Sequence, residues 1–213
     1  MDDSKGANNT GETLITAEKY RNFVGKNPDK VTYFQPVLDT LDVVPSKLDL
    51  TRKSVLVEGK GDYFILEYGR RVLLNSNSDF YVVPTRGATG MDELIGLFLG
   101  WGIPFLICLD DDKEGRAAQK KYIESWGLPR SKVWTLADIA DQLINKEVSG
   151  FLDKSDLEII KSHFNLDKGP TKSQIQLFFS ENLAKKQELS MSEFYVELLS
   201  QFEAKTRQAL NEI

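Results

Sequence analysis

The sequence predicts an α/β fold, a parallel sheet flanked by helices, followed by a C-terminal helical subdomain. Short, almost wholly apolar runs such as Phe105-Leu-Ile-Cys-Leu109 alternate with stretches of helical periodicity. Strands of that kind are buried on both faces, as in parallel sheets covered by helices. After Ile139 the strand pattern stops and only helical patterns follow.

Taken in order, residues 1–13 read as a disordered tail, since Ser4, Gly6, Asn8, Asn9, Thr10 and Gly11 offer nothing to bury. A helical lead-in spans 14–52. It holds a short helix over 16–25, stopped by Gly25 and Asn27-Pro28, and a buried connector over 31–41 around Pro36. Ser54-Val-Leu-Val57 is the first strand and runs into Glu58-Gly-Lys-Gly61. A helix over 62–74 follows, then a second strand over 80–83, closed by Pro84. The next helix covers 89–101. Strand three, 105–109, ends in Asp110-Asp-Asp112, followed by a helix over 113–126 and a short strand over 132–135. The pattern then predicts helices over 155–164, 171–186 and 191–212, the last opened by a capping box of Ser190 and Glu193. The strand-bearing domain is placed at 53–150 and the helical subdomain at 151–213. The last helix carries an apolar stripe (Phe194, Val196, Leu198, Leu199, Phe202, Leu210) that reads as core or chain-to-chain packing.

Composition narrows the chemistry. Among 213 residues there is one cysteine and one histidine. An intrachain disulfide framework, a cysteine-rich zinc site and a multi-histidine centre are therefore excluded, and the cysteine usage fits a reducing cytosol. A metal must then sit mainly on oxygen ligands, which selects Mg²⁺, Mn²⁺ or Ca²⁺. With 27 Lys+Arg against 32 Asp+Glu, the net charge of -5 argues against a simple basic nucleic-acid binder. No run approaches the roughly 20 apolar residues of a membrane span, and no signal peptide opens the chain, so a cytoplasmic protein without a membrane partner is expected.

The acidic residues collect where an open parallel sheet places its site, beyond the carboxyl ends of the strands. Glu58 follows the first strand, and Asp110 and Asp112 follow the third. Asp62 would point back toward Glu58 from the first helical turn. If the first and third strands are neighbours, these carboxylates share one small volume and repel one another. A divalent cation, or a pair about 3.5–4 Å apart, relieves that repulsion and creates a Lewis-acid site for phosphoryl transfer. The triple leaves two arrangements, with either Asp110 and Asp112 or Asp111 alone facing the metal. The following Lys-Glu-Gly favours Asp110 and Asp112. Taken singly, such aspartates also serve as helix caps. Gly59, Gly61, Gly87, Gly90 and Gly115 stand at strand-to-helix turns, where helix amides could meet a phosphate. Arg86 could contact a phosphate, whereas Arg70 and Arg71 read as a solvated helix face. His163 reads as structural or surface, and Cys108 as a core hydrophobe.

Val55-Leu-Val-Glu-Gly59 and Leu109-Asp-Asp-Asp-Lys-Glu-Gly115, with Gly87 between them, resemble the Toprim domain family, the catalytic module of topoisomerases, primases, some ribonucleases and OLD nucleases. The resemblance covers about residues 53–139. It comes nearest to the C-terminal catalytic region of the OLD (overcoming lysogenization defect) endonucleases through Tyr33-Phe-Gln-Pro-Val-Leu-Asp39 and Val57-Glu-Gly-Lys-Gly-Asp-Tyr63. It implies a Toprim, Rossmann-like sheet and an Mg²⁺- or Mn²⁺-dependent DNA endonuclease with two ions, Ca²⁺ binding without supporting cleavage, in phage defence or DNA repair. Glu58, Asp62, Asp110 and Asp112 would hold metal. The resemblance also implies further ligands after the fourth strand, for which Asp138 and Asp141 are candidates, and a lysine on the helical appendage, Lys172 with Lys168 as rival. Asp138 is expected in the metal set and Lys172 in the catalytic set. Lys60, Arg86, Lys113 and Arg116, with Lys120-Lys121, would face DNA.

OLD proteins also carry an N-terminal ABC-type ATPase. This chain has no Gly-x-x-x-x-Gly-Lys-Ser/Thr loop, so it resembles the nuclease part without the motor, as an excised fragment would. The ATPase region, a helicase and a second copy of the chain are the expected partners besides DNA. Two rivals stand beside this reading: a Toprim ribonuclease acting on structured RNA, and a non-enzymatic Mg²⁺-binding receiver-type signalling domain.

Overall fold

The computed structural model describes residues 53–77, 79–85 and 87–212, and of 87–89 the backbone alone. These residues lie within one compact unit, Val44–Ile213. The expected tail, lead-in helix and connector, the Tyr33-to-Asp39 motif and Arg86 lie outside the described residues.

Among the described residues, four strands form one wholly parallel sheet: β1 (Lys53–Val57), β2 (Phe80–Pro84), β3 (Phe105–Leu109) and β4 (Val133–Thr135). Their order is β2-β1-β3-β4, with Val57 level with Pro84 on one side and Cys108 on the other. The chain steps from β1 outward to β2 and then returns to the opposite side of β1. The switch point therefore lies between β1 and β3, with Glu58 and Asp110 at its mouth. The expected α/β sheet flanked by helices is what forms.

The helices between strands are α1 (Lys60–Tyr68), α2 (Gly87–Trp101) and α3 (Lys113–Trp126). Beyond β4 come three short 3₁₀ turns, at Leu136–Asp138, Asp141–Leu143 and Val148–Phe151. Then follow α4 (Lys154–His163), α5 (Lys172–Lys185) and α6 (Glu193–Asn211). None of the described helices is long and apolar enough to cross a membrane.

Alternation along the strands feeds two cores. Val55, Val57, Leu106 and Cys108 pack with α1 (Ile65, Leu66, Tyr68), α5 (Phe178, Phe179) and α6 (Leu198, Leu199, Phe202). Leu56, Phe105, Ile107 and Leu109 face the other way, against Met91, Ile95 and Phe98 of α2 and Tyr122 of α3. The C-terminal helices thus share a core with the sheet, and the apolar stripe of α6, Val196 apart, is spent on it.

Two expectations need correcting. The helix predicted over 62–74 is α1 followed by a π-helical turn, Gly69–Leu73. That turn carries Arg70 inward, where it is 3% exposed. Its guanidinium pairs with Glu67 and, at 2.7 Å, with Glu203 of α6, so Arg70 is not on a solvated face. Buried cations need such partners. Arg71 does lie half-exposed, paired with Glu67. The second correction concerns the start of α6. Its cap is Ser192, whose hydroxyl accepts from the Tyr195 amide at 3.1 Å, and not Ser190. The cause is tertiary. Asp156 of α4, fully buried, accepts from the Ser192 amide at 2.8 Å and its hydroxyl at 2.7 Å.

Candidate metal centre

Each of the four acids expected from the sequence sits where a strand gives way to a helix, and each has one oxygen on a backbone amide. Glu58 follows β1 and accepts from the Asp110 amide at 3.1 Å. Asp62, in the first turn of α1, accepts from the Gly59 amide at 2.8 Å, capping a helix that a glycine cannot cap itself. Asp110 follows β3 and accepts from the Val148 amide at 2.9 Å. Asp112 is the N-cap of α3 and accepts from the Gly115 amide at 2.7 Å. The capping and metal-binding readings of these aspartates are therefore compatible. One oxygen holds the backbone, and no hydrogen bond from the described residues engages the second. Thr85, just past β2, ties the same corner together, its hydroxyl donating to the Glu58 carbonyl at 3.1 Å and its amide to the Val57 carbonyl at 2.9 Å.

Gly115 explains the glycine of the Lys-Glu-Gly run. A Cβ there would lie 2.0 Å from the Asp110 carbonyl oxygen, so only glycine lets the first turn of α3 close under Asp110.

Asp110, Asp112 and Glu147 each place one carboxylate oxygen within 4.8 Å of the others. Glu147 was not among the acids read from the sequence. It arrives on the segment after the second 3₁₀ turn, and its only sequence signal is that it is the sole acid between Asp141 and Asp153. The acid that joins the group from beyond the fourth strand lies nine residues after Asp138. Asp138 is not brought into the group. Its carboxylate grips Arg130 through two bonds of 2.8 and 2.9 Å and caps its own turn through the Thr135 amide at 2.8 Å. Asp141 is exposed and likewise outside the group.

Asp111, between the two site aspartates, has its carboxylate occupied. It is 4% exposed and accepts from the Asn145 amide at 2.7 Å, with the Arg116 guanidinium 3.1 Å away. Burial alone would raise its pKa. The bonds from the Asn145 amide, Thr135 and Arg116 outweigh burial and hold it below the usual carboxylate range. Asp110 and Asp112 are the pair that faces the site.

The electrostatics are those of a crowded acid site. Burial, then the charges of Asp62 and Glu58, push Asp110 up to about 7 against the Val148 amide, which lowers it. Burial also raises Asp62, to about 6, with Glu58 and Glu147 adding to the effect and the Gly59 amide and Lys172 opposing it. Glu58 is raised by burial foremost, then by Asp112, Glu114 and Glu147. Among the described residues, Lys172 is the cation that acts on Asp62. Lys172, the first residue of α5, places Nζ 2.8 Å from Glu147, and this bond raises its own pKa. A small open pocket is lined by Gly61, Asp62, Asp110, Glu147, Ser149, Lys172 and Gln176. Lys168 stands exposed in the loop before α5 and does not line it.

Of the basic residues assigned to DNA, Lys60 and Lys113 open α1 and α3 on the acid-bearing edge and are exposed. Arg116 is engaged with Asp111 and with Asn145 Oδ1 at 3.2 Å, and Lys121 with Asp92. Cys108 is buried in the sheet, as expected. His163 meets Phe164 and Phe178 edge-on, a structural setting.

An all-oxygen donor set fits a hard divalent cation. The residues that would hold one are Asp110, Asp112 and Glu147, with Glu58 and Asp62 alongside. Residues 50–112 match the family model described as "Overcoming lysogenization defect protein-like, TOPRIM domain". The match ends at Asp112, so Glu147 and Lys172 stand on geometry alone. Neither a curated protein nor a solved structure matches the chain. Residues 50–112, with the parallel sheet and the strand-end acids that they begin, make this a Toprim domain resembling that of the OLD family.

Proposed function

We propose that the chain is an Mg²⁺- or Mn²⁺-dependent phosphodiesterase that nicks or cleaves DNA. The observation that carries this is the convergence of Asp110, Asp112 and Glu147 oxygens beside one lysine, at the switch point of a Toprim sheet. A divalent cation at such a site supplies Lewis-acid polarisation of a phosphoryl oxygen and a water acidic enough to attack near neutral pH.

The chain's own residues do the rest. Asp110 stands between the two halves of the acid set: one of its oxygens lies within 4.8 Å of oxygens of Asp112 and Glu147, and the charges of Asp62 and Glu58 act on it. It would hold a cation from either half. The amides of Gly59, Gly115 and Val148 each hold one oxygen of Asp62, Asp112 and Asp110, so the second oxygens need little reorganisation to bind. Lys172 neutralises the acids while no metal is present. With Glu147 holding a cation, the Lys172 ammonium would be free to face the pocket, where it would stabilise charge building on the phosphate. Lys60 and Lys113, at the mouths of α1 and α3, offset the protein's acidic charge along the path of the nucleic acid.

A side-by-side assay on matched DNA and RNA oligonucleotides in Mn²⁺ tests the substrate. DNA cleavage that Glu58→Ala abolishes is expected. Cleavage of RNA alone would replace this reading with a ribonuclease.

A further inference from the structure

Glu147 lies 35 residues beyond Asp112 and belongs to no strand or long helix, yet it is held against Asp110 and Asp112. What holds it is a short ladder between the end of β3 and residues 145–148. The Asp111 amide donates to the Lys146 carbonyl at 2.8 Å, and the Val148 amide to Asp110 Oδ1 at 2.9 Å. Between these, the Asn145 amide donates to the buried Asp111 carboxylate at 2.7 Å. Asn145 itself adopts φ +55°, the left-handed conformation that asparagine tolerates better than most residues, and so turns the chain toward the site. Arg116 closes the arrangement. The guanidinium donates to the Asp111 carbonyl at 2.8 Å and to Asn145 Oδ1 at 3.2 Å, and pairs with the Asp111 carboxylate.

From this we propose that Asp111 and Arg116 are positioning residues that set Glu147 in the metal centre. They touch neither metal nor substrate. The middle aspartate of the triple thus acts through the segment that its neighbours' partner rides on. The inference rests on the proposed metal site and assigns Arg116 a task other than meeting DNA. Outer partners that orient a ligand typically change metal affinity by about 10–100-fold when removed. Asp111→Asn keeps the shape and loses the charge that the Asn145 amide, Thr135 and Arg116 share.

The test is a thermodynamic cycle on Mn²⁺ affinity, read by electron paramagnetic resonance of free Mn²⁺ well below the melting temperature. Asp111→Asn should weaken binding about tenfold, and Glu147→Gln at least as much. The double variant should bind no more weakly than Glu147→Gln, because positioning a residue that no longer ligates has no effect. In the metal-free protein, the Asn145 amide should exchange with solvent faster in Asp111→Asn than in wild type. Arg116→Ala, at a half-exposed position, repeats the test should Asp111→Asn not fold. Additive losses, or wild-type affinity in both Asp111→Asn and Arg116→Ala, would overturn the positioning role while leaving the metal site standing. Absence of Mn²⁺ binding by the wild-type protein would overturn both.

Discussion

At Asp110 burial and three neighbouring carboxylates act in one direction, and the pKa rises from the ordinary 3.8 to about 7. Between those values the folded protein binds a proton that the unfolded chain does not. Stability of the metal-free protein must therefore fall as pH rises from about 4 through about 7, the reverse of a salt-bridged aspartate. Asp62, raised to about 6, adds to the same slope. Melting curves in EDTA across that range should show the fall, and Asp110→Asn should flatten it; a melting temperature that climbs with pH throughout would contradict the crowding. Lys172 answers a different question. In the proposed mechanism Lys172→Ala removes a charge that would stabilise the phosphate in the transition state, and a loss on the order of 10²–10³ in rate is expected. It also frees Glu147, so Mn²⁺ should bind at least as tightly as in wild type. Lys168→Ala should be nearly silent in both measurements. Plasmid nicking and Mn²⁺ titration on the two variants check this, and a dead Lys168→Ala beside a normal Lys172→Ala would reverse the assignment.

At the scale of elements, the close approach of α3 to β3 decides how the acids are held. Gly115→Ala forces a Cβ to within 2.0 Å of the Asp110 carbonyl, so either α3 or the end of β3 must move. A cost of about 1–3 kcal/mol is expected from overpacking of this kind, together with weaker Mn²⁺ binding. Denaturant unfolding and metal titration of the same variant would show whether the two losses travel together. The strand-end acids were legible in the sequence because apolar runs mark the strands and the acids follow them directly. Glu147 was not, because the chain between β4 and α4 winds through three 3₁₀ turns that carry no periodicity. Asp138 stands where a strand-end ligand should, but Arg130 eight residues earlier claims it. Arg70 was misread for a related reason: its partner Glu203 lies 133 residues away, and no local pattern announces that pairing. Helix patterns over 113–126 and after 154 were readable within two residues, since their apolar faces are local, whereas the cap of α6 is set by Asp156 of α4.

Across the whole molecule, one core joins the sheet to the C-terminal helices, as Phe202 of α6 stacks edge-on with Phe80 of β2, centroids 6.3 Å apart. The helices after residue 151 should therefore not unfold ahead of the sheet. Phe202→Ala is expected to cost about 3–5 kcal/mol and to shift a common transition, which circular dichroism and tryptophan fluorescence would follow together; separate transitions for the two probes would show that the C-terminal helices are an independent unit. The same joining places Lys172 of α5 over acids carried by β1 and β3, so the proposed site exists only when both parts are folded. Incubation of the intact protein with supercoiled plasmid in Mg²⁺, Mn²⁺, Ca²⁺ or EDTA bears on that site most directly. Nicked and linear DNA should appear with Mg²⁺ or Mn²⁺, not with Ca²⁺ or EDTA, and should be lost in Asp110→Asn and Glu147→Gln. Plasmid left supercoiled in every metal, or cleaved equally well by both variants, would contradict it.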